Sequence, residues 1–352
     1  MFKQFASVKI RAIMGARGQE SHQVADLLAP FVGADQAGRL VSSLGFSSVR
    51  YFPKGVTMGD AATKAALTLY EREQLSGSDF DACIFVTQSP NSTVPANTFV
   101  YQPQLGLSKD CLFLDTIQGC AGYVYGLFMA SAFIASGLVQ RVLLLVGDTS
   151  DLAHNLTPDF AAAHPEVQLS NAAIFGDGAA ATILEYDETA TPSSYLIDNY
   201  GESAEVVRDD LMTCMTLRAD PLSFKPQLLH IDGTALARFA MQDVRSNIAT
   251  ICEHTGYTTQ DLSYCISHQA NRVMLKSLER SLKADSGFVP FLAEHIGNTS
   301  SASIPLALSE HSSNLTRIKS YPTLLTGYGV GLCVASGIVD LRSTTIYDPI
   351  EL

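Results

Sequence analysis

Short apolar runs alternate with longer segments of helical periodicity along most of the chain, and this alternation predicts an α/β fold. Apolar runs of strand length occur at 82–87, 111–115, 142–147, 180–185, 194–199, 264–267, 323–327 and 332–341. Helices are predicted over 58–74, 121–136, 234–255, 271–283 and 303–309. The pattern therefore places the chain among the α/β proteins.

A weak internal repeat divides the chain into two similar halves. In each half a glycine-led turn opens a buried helix, and an apolar strand, a glycine turn and a second apolar strand follow. The first copy begins at Gly119 and the second at Gly297, and the polar stretch 186–194 separates them. The predicted halves are residues 1–187 and 188–352. They indicate a pseudo-symmetric core in which the N-termini of the two buried helices face one site.

No charged residue occurs from 117 to 140, a length that would allow a membrane-spanning helix. Polar residues interrupt this segment, however, and a buried strand begins directly after it at Arg141. A helix that is apolar on all sides is also what the centre of a large protein requires. We therefore interpret the segment as a buried helix, whose small residues Gly122, Gly126 and Ala130 allow a second helix to approach closely.

The composition is that of an acidic globular protein with a large core. Of its 352 residues 47% are apolar, and the formal net charge of −12 argues against a nucleic-acid-binding surface. The first residues lack the basic region and long apolar run of a signal peptide, so we expect a cytoplasmic protein without membrane insertion. The seven cysteines form no CxxC pair and the eight histidines no metal-binding pattern, which predicts reduced thiols and neither metal nor cofactor.

Cys120 is the first candidate for chemistry, because the sequence around it predicts a strand, a tight turn and then a helix. The thiol would lie at the first residues of that helix, where unpaired backbone N–H groups carry partial positive charge and favour the thiolate. Gly119 and Gly122 leave room for a substrate beside the sulfur. A buried core cysteine explains the residue equally well at this point.

Two further segments place a polar side chain next to a predicted strand end or helix start. His268 follows an apolar strand, and Asn298 follows a glycine at the start of a helix. Taken singly, His268 is explained as a packed or capping histidine and Asn298 as a helix N-cap. Taken with Cys120 at the matching helix start of the other half, they fit a thiol nucleophile with two polar partners.

Five stretches, in their order and spacing, resemble β-ketoacyl-acyl-carrier-protein synthase III, a condensing enzyme of the thiolase superfamily. They are residues 115–122, 174–179, 267–271, 297–305 and 327–331. The resemblance extends over about 58–341. It implies a thiolase-like α/β fold of two pseudo-symmetric halves, arranged in five layers as α-β-α-β-α, and a homodimer.

The resemblance also implies a catalytic triad of Cys120, His268 and Asn298. Cys120 would accept an acyl group from a thioester. The other two would bind a malonyl thioester carbonyl and stabilise the enolate formed when carbon dioxide leaves, and this carbanion would attack the acyl-cysteine to give a 3-oxoacyl thioester. An oxyanion hole would use the backbone N–H groups of Cys120 and Val330. The family usually has glycine where Val330 stands, and the valine Cβ restricts φ.

Acyl thioesters of coenzyme A or of acyl carrier protein are the substrates that the resemblance implies. Housekeeping members commonly stack a tryptophan on the coenzyme A adenine, and this chain has none, which indicates a carrier-bound or unusual donor, or a specialised pathway. A cationic stripe along the helix after His268 either docks an acidic carrier protein or is simply solvated. The stripe consists of Arg272, Lys276, Arg280 and Lys283. By analogy, the segment 88–99 shapes the acyl pocket and the dimer contact.

Two other functions fit the same residues. An acyltransferase on this fold would move the acyl group from Cys120 to an amine or hydroxyl, with His268 as general base. A non-catalytic partner subunit of a heteromeric synthase is the second alternative, and the complete triad argues against it.

Overall fold

The computed structural model describes residues 1–92, 94–150, 173–208 and 230–352. Its strands are β1 (Phe2–Phe5), β2 (Val8–Arg17), β3 (Glu20–Gln23), β4 (Ser48–Tyr51), β5 (Ala82–Val86), β6 (Leu112–Thr116), β7 (Arg141–Asp148), β8 (Gly178–Tyr186), β9 (Ser193–Asn199), β10 (Val207–Arg208), β11 (His230–Ile231), β12 (Cys265–Ser267), β13 (Thr323–Gly329), β14 (Cys333–Val339) and β15 (Thr345–Glu351). Its helices are α1 (Val24–Val32), α2 (Ala34–Leu44), α3 (Met58–Glu73), α4 (Asn97–Leu105), α5 (Gly122–Ala135), α6 (Gly233–Phe239), α7 (Arg245–Thr255), α8 (Arg272–Ser281) and α9 (Ser303–Glu310).

Two mixed β-sheets form the framework of the fold. The larger sheet has the strand order β15-β2-β8-β7-β5-β6, and the smaller sheet has the order β1-β9-β14-β13-β12. The central strands β5, β7, β13 and β14 are buried along almost their whole length. Because both faces of such strands are covered, their sequences are mostly continuous apolar runs rather than alternating ones.

Helices and sheets stack in five layers. The outer face of the larger sheet is covered by α3 and α4, and the outer face of the smaller sheet by α7 and α8. Between the two sheets lie α5 and α9, which contact strands of both. This arrangement confirms the predicted thiolase-like α-β-α-β-α fold.

The buried helix predicted from the uncharged segment is α5. A Cβ at Gly122 would lie 2.5 Å from Val86 Cγ1, and one at Gly126 would lie 2.5 Å from Leu144 Cδ1. A larger residue at either position would therefore push the helix away from the larger sheet. The same Cβ at Gly122 would lie 3.3 Å from the Cβ of Ser301, on the turn that leads into α9. Within the described residues, no helix is both long enough and apolar enough to span a membrane.

The internal repeat surrounds the two central helices. The 3₁₀ turn Gly119–Ala121 leads into α5, and the 3₁₀ turn Ser300–Ala302 leads into α9. In both halves two antiparallel strands follow, β7 with β8 and β13 with β14. The terminal strands cross over, since β1 pairs with β9 and β15 pairs with β2. We propose that 1–187 and 188–352 are the two repeats, with these terminal strands exchanged.

Candidate active site

Cys120 lies on the 3₁₀ turn Gly119–Ala121, between the end of β6 and the start of α5. The turn requires glycine at position 119, where φ is +45° and a Cβ would lie 2.9 Å from the Cβ of Val330. Cys120 is partly exposed, and its Sγ lies 3.7 Å from the Oγ of Ser300. The structure therefore places the thiol at a helix start and leaves it accessible to a substrate.

The protonation state of this thiol differs from the expectation based on the helix N-terminus. Burial is the main cause that raises the pKa of Cys120 to about 12, and the nearby Asp148 carboxylate acts in the same direction. The hydrogen bond with Ser300 lowers the pKa. Desolvation is the largest of these effects on the pKa of Cys120. The resting residue is a neutral thiol at pH 7 rather than the thiolate expected from sequence.

His268 follows β12 and is buried. Its backbone N–H donates to the Thr326 carbonyl at 2.7 Å, and its ring Nδ1 lies 2.8 Å from the Oγ of Ser303 on α9. The edge of the Tyr328 ring packs against the imidazole, with 5.8 Å between the ring centroids. Burial lowers the pKa of His268 to about 3, and a hydrogen bond to the Ser300 backbone acts against this shift. The imidazole is therefore neutral at pH 7.

Asn298 lies in an extended segment beside Phe175, where its backbone N–H donates to the Ile174 carbonyl at 2.8 Å. Its side-chain Oδ1 accepts the backbone N–H of Ser300 at 3.0 Å. That bond orients the amide, because the oxygen is occupied and Nδ2 remains as a donor with no acceptor among the described residues. Since α9 begins only at Ser303, Asn298 is not the N-cap of that helix.

Ser300 connects the three predicted site residues. Its Oγ faces the Cys120 thiol, its backbone N–H holds the Asn298 side chain, and its backbone also hydrogen-bonds the His268 ring. The sequence analysis did not single out this residue. The sequence repeat carried no signal for it, because that repeat aligns Gly119 with Gly297, whereas in the structure Ser300 opens the second 3₁₀ turn as Gly119 opens the first.

Asp148, at the buried end of β7, is a second residue that the sequence analysis missed. Its Oδ1 accepts the backbone N–H of Gln88 at 2.8 Å. Its Oδ2 accepts the backbone N–H of Ser301 at 3.0 Å and the Ser301 hydroxyl at 2.6 Å. Burial raises the pKa of this carboxyl, and the hydrogen bonds lower it. Asp148 thereby joins the segment after β5 to the turn before α9, so that the two halves of the site are held together.

The glycine-containing turn between β13 and β14 passes directly over Cys120. A Cβ at Gly329 would lie 3.2 Å from the Cys120 Cβ, and φ is +155° at Gly329 and +134° at Gly331. Val330 lies between these glycines, and its side chain packs against Gly119. The turn that carries the predicted second oxyanion donor is therefore beside the thiol. The role of the Val330 N–H stays a prediction.

The cationic stripe lies on α8, whose inner face buries Leu275 and Leu278. Arg272 is held by structural contacts: its guanidinium donates to the Gly45 carbonyl at 3.2 Å and pairs with Glu294 at 2.8 Å. It also lies over the Phe291 ring. The other basic side chains of the stripe are exposed, namely Lys276, Arg280 and Lys283. A docking surface would therefore depend on these three rather than on Arg272.

Comparison with known proteins places this chain in a family. The model described as 3-oxoacyl-[acyl-carrier-protein] synthase III matches residues 114–199, and its C-terminal counterpart matches residues 252–341. Cys120 lies in the first match, and His268 and Asn298 lie in the second. A β-ketoacyl-[acyl-carrier-protein] synthase III of Streptococcus agalactiae is 30% identical over 297 residues, which cover 83% of this chain and 87% of that protein. One from Streptococcus sanguinis is 29% identical over 313 residues, with 87% and 92% covered.

Solved structures show the same similarity. The 3-oxoacyl-(acyl-carrier protein) synthase of Burkholderia xenovorans superimposes with a TM-score of 0.86 at 26% identity, over 100% of this chain and 99% of that one. OleA of Xanthomonas campestris, at 20% identity and a TM-score of 0.80, shares the fold over 95% of this chain and 97% of its own. The fold and the family matches thus define a transferase of the thiolase-fold, condensing-enzyme class. The chain belongs to the 3-oxoacyl-[acyl-carrier-protein] synthase III family.

Proposed function

We propose that the chain is a 3-oxoacyl thioester synthase, which acylates Cys120 and then condenses the acyl group with a malonyl thioester. The observation that carries this proposal is the arrangement of a thiol and two neutral hydrogen-bonding side chains, His268 and Asn298, around Ser300. A thiol exchanges acyl groups with thioesters, and neutral donors stabilise an enolate oxygen without first protonating it.

In the first step the Cys120 Sγ attacks the carbonyl of the acyl donor. The new S–C bond forms, the bond to the donor sulfur breaks, and the Cys120 thiol proton passes to the released donor thiol. The backbone N–H groups of Cys120 and Val330 would bind the oxygen of the tetrahedral intermediate. Because the resting thiol is neutral, its deprotonation accompanies the attack rather than preceding it.

In the second step His268 and Asn298 bind the carbonyl oxygen of the malonyl thioester. The carbon–carbon bond to the carboxylate breaks and carbon dioxide leaves. The electron pair of that bond stays on the thioester and forms the enolate. The enolate carbon attacks the acyl group on Cys120, and the released Cys120 thiolate takes up a proton from solvent. A pKa of about 3 keeps the His268 imidazole neutral, so that it serves as a hydrogen-bond donor.

The protonation state of His268 also distinguishes condensation from acyl transfer to an amine or a hydroxyl. An acyltransferase would need His268 to deprotonate an amine or a hydroxyl, and a general base works best when its pKa lies near the working pH. A histidine whose pKa is about 3 is a weak base at pH 7. This observation favours condensation over acyl transfer. The accessible Cys120 thiol argues against a non-catalytic partner subunit.

Intact-protein mass spectrometry tests the proposed function. The wild-type chain, incubated with panels of acyl-coenzyme A and acyl-carrier-protein donors, should gain the mass of one acyl group. Malonyl-carrier protein added next should remove that mass and yield carbon dioxide and a 3-oxoacyl-carrier protein. No adduct with any donor, or transfer to an amine or alcohol without carbon dioxide, would contradict the proposal.

We propose that acyl carrier protein delivers at least one of the two substrates and docks on the exposed basic side chains of α8. The absence of tryptophan supports a carrier-bound or unusual acyl donor. Positive charge on one helix face of an otherwise acidic protein would steer an acidic partner to it.

Charge reversal of Lys276 and Arg280 to Glu should raise the KM for carrier-bound malonyl substrate about tenfold, because a docking charge acts on association. The kcat should change less than twofold. The double variant Lys54→Glu/Lys64→Glu is the matched control, since both lysines are exposed and the change of net charge is the same. Steady-state kinetics at low salt measure the effect. Equal KM values for the α8 variant and the control would contradict the proposal that carrier protein docks on α8.

We propose that the chain forms a homodimer through β6. Among the described strands it is an edge of the larger sheet, so one side of its backbone has no partner strand there and could pair with the same strand of a second copy. Large apolar side chains are exposed on and near it, namely Phe99, Leu112 and Ile117. Sedimentation equilibrium should give about twice the chain mass of 37.8 kDa. A mass equal to that of one chain would contradict the dimer.

We propose a reducing, cytoplasmic location and a role in fatty-acid or specialised acyl metabolism. Six cysteines in the described part of the chain are free thiols, as expected in a reducing compartment.

A further inference from the structure

Ser300 makes a separate contact with each of the three proposed catalytic residues. Its hydroxyl Oγ lies 3.7 Å from the Cys120 Sγ, and its backbone N–H donates to the Asn298 Oδ1 at 3.0 Å. Its backbone also hydrogen-bonds the His268 ring. The residue is 2% exposed, so water has little access to its hydroxyl. A hydrogen bond in such a site is electrostatically stronger than one at the surface.

The backbone of Ser300 indicates that this hydroxyl is kept at a conformational cost. Its φ is +49°, in the left-handed region that non-glycine residues seldom adopt. The equivalent position in the first half is Gly119, with a φ of +45°. Glycine would satisfy the second turn equally well, as it satisfies the first. The structural argument for serine is therefore its side chain.

Gln88 restricts the direction of the hydroxyl hydrogen, because it donates to the Ser300 oxygen. Its side-chain Nε2 donates to the Ser300 Oγ at 3.0 Å, so the oxygen serves as an acceptor for Gln88. The hydrogen of the Ser300 hydroxyl then has two acceptors within reach, the Cys120 sulfur and the buried Asp148 carboxylate, whose pKa the Ser300 hydroxyl lowers. The backbone N–H of Gln88 donates to the buried Asp148 carboxylate, which fixes the residue. The side-chain Oε1 lies beside Gly119, where a Cβ would be 3.3 Å away.

We propose that Ser300 is a fourth catalytic residue, whose hydroxyl donates a hydrogen bond to the Cys120 sulfur as negative charge develops on it, and that Gln88 is the positioning residue that directs this bond. The proposal rests on the proposed function for the identity of the reaction. The bond itself concerns only the thiol.

Negative charge develops on the Cys120 sulfur twice in the reaction. It appears when the thiol loses its proton and attacks the acyl donor, and again when the sulfur leaves as thiolate after condensation. A donor aimed at the sulfur therefore assists both steps. This differs from His268 and Asn298, whose proposed task is confined to the enolate of the second step.

The test compares the reactivity of the thiol in four variants, measured as iodoacetamide alkylation of Cys120 from about pH 6 to 10. Ser300→Ala and Ser300→Gly both remove the hydroxyl, and the glycine variant also relieves the left-handed backbone. Both should react about tenfold more slowly than wild type at a fixed pH, which corresponds to a pKa about one unit higher. Their acylation by the best donor should fall by about tenfold or more.

The variants Gln88→Leu and Gln88→Glu test whether Gln88 acts by directing the Ser300 hydroxyl or only by filling space. The leucine variant leaves the hydroxyl undirected, and we expect a loss of about threefold in alkylation rate. In the glutamate variant the introduced carboxylate accepts the Ser300 hydrogen and turns it away from the sulfur, so the loss should exceed that of the leucine variant. Gln102→Leu, at a half-buried glutamine of α4, is the control and should match wild type. Thermal unfolding of each variant confirms that it is folded.

Three results would overturn the proposal. They are wild-type alkylation in the Ser300→Ala variant, full recovery of the rate in Ser300→Gly but not in Ser300→Ala, and equal rates for the two Gln88 variants. Recovery by glycine would mean that only the backbone matters. Failure of the proposed function gives a different result, because the wild type would then lack acylation by every donor while the alkylation rates still differed among the variants.

Discussion

Replacing Cys120 by alanine is expected to abolish acylation and to lower the condensation rate by on the order of 10⁴-fold or more, since the covalent intermediate is lost. The variant should show no mass increase with any acyl donor. Its fold should be retained, because a partly exposed side chain on a turn is shortened by one atom. Intact-protein mass spectrometry and product formation measure the two effects.

The same variant should retain decarboxylation of the malonyl thioester. His268 and Asn298 are untouched, and release of carbon dioxide requires stabilisation of the enolate but no bond to sulfur. Carbon dioxide without a 3-oxoacyl product is therefore the expected signature. The matched control is Cys252→Ala, which removes a half-buried thiol on α7 and should behave as wild type. An acyl adduct that persists in Cys120→Ala would exclude the proposed nucleophile.

Removing either enolate-binding side chain should slow condensation much more than acylation. His268→Ala and Asn298→Ala are each expected to lower condensation by about 10²–10³-fold, the usual cost of one donor to a developing oxyanion. Acylation of Cys120 should fall by about tenfold at most, since the enolate forms only after that step. Single-turnover acylation and carbon dioxide release measure the two steps separately.

Two controls and a pH profile complete this prediction. His254→Ala and Asn314→Ala change exposed residues of the same types and should leave both steps unchanged. Because burial lowers the pKa of His268 to about 3, the wild-type condensation rate should show no loss due to histidine protonation between pH 7 and about pH 5. An ordinary histidine would become charged in that range. Equal losses of acylation and condensation in the two variants would contradict the assigned roles.

The predicted elements with strong apolar runs agree closely with the structure. The strand predicted at 142–147 is β7 (Arg141–Asp148), and the helix predicted at 58–74 is α3 (Met58–Glu73). The helix predicted over 234–255 is interrupted by a π-helical turn, Ala240–Val244, between α6 and α7. Local periodicity identifies such elements because burial demands it at each step of the chain.

Elements with mixed patterns were missed for a physical reason. In β2 the charged residues Lys9 and Arg11 interrupt the apolar run, and Arg11 is paired with Glu73 of α3. In β15 Pro349 and Asp348 break the strand pattern, although most of the strand pairs with β2. Their place in the sheet comes from partners that are distant in sequence, so no local window contains the signal.

From the sequence alone one can predict the thiol on its turn, the two polar residues that accompany it, and the fold that brings them together. These features are local patterns or follow from the resemblance to a family. The protonation of Cys120 and His268 and the contact of Ser300 with Gln88 depend on the packing of the whole fold. Desolvation depends on everything packed around a group, and a directed hydrogen bond depends on atoms from both halves of the chain. Neither is a property of any short stretch of sequence.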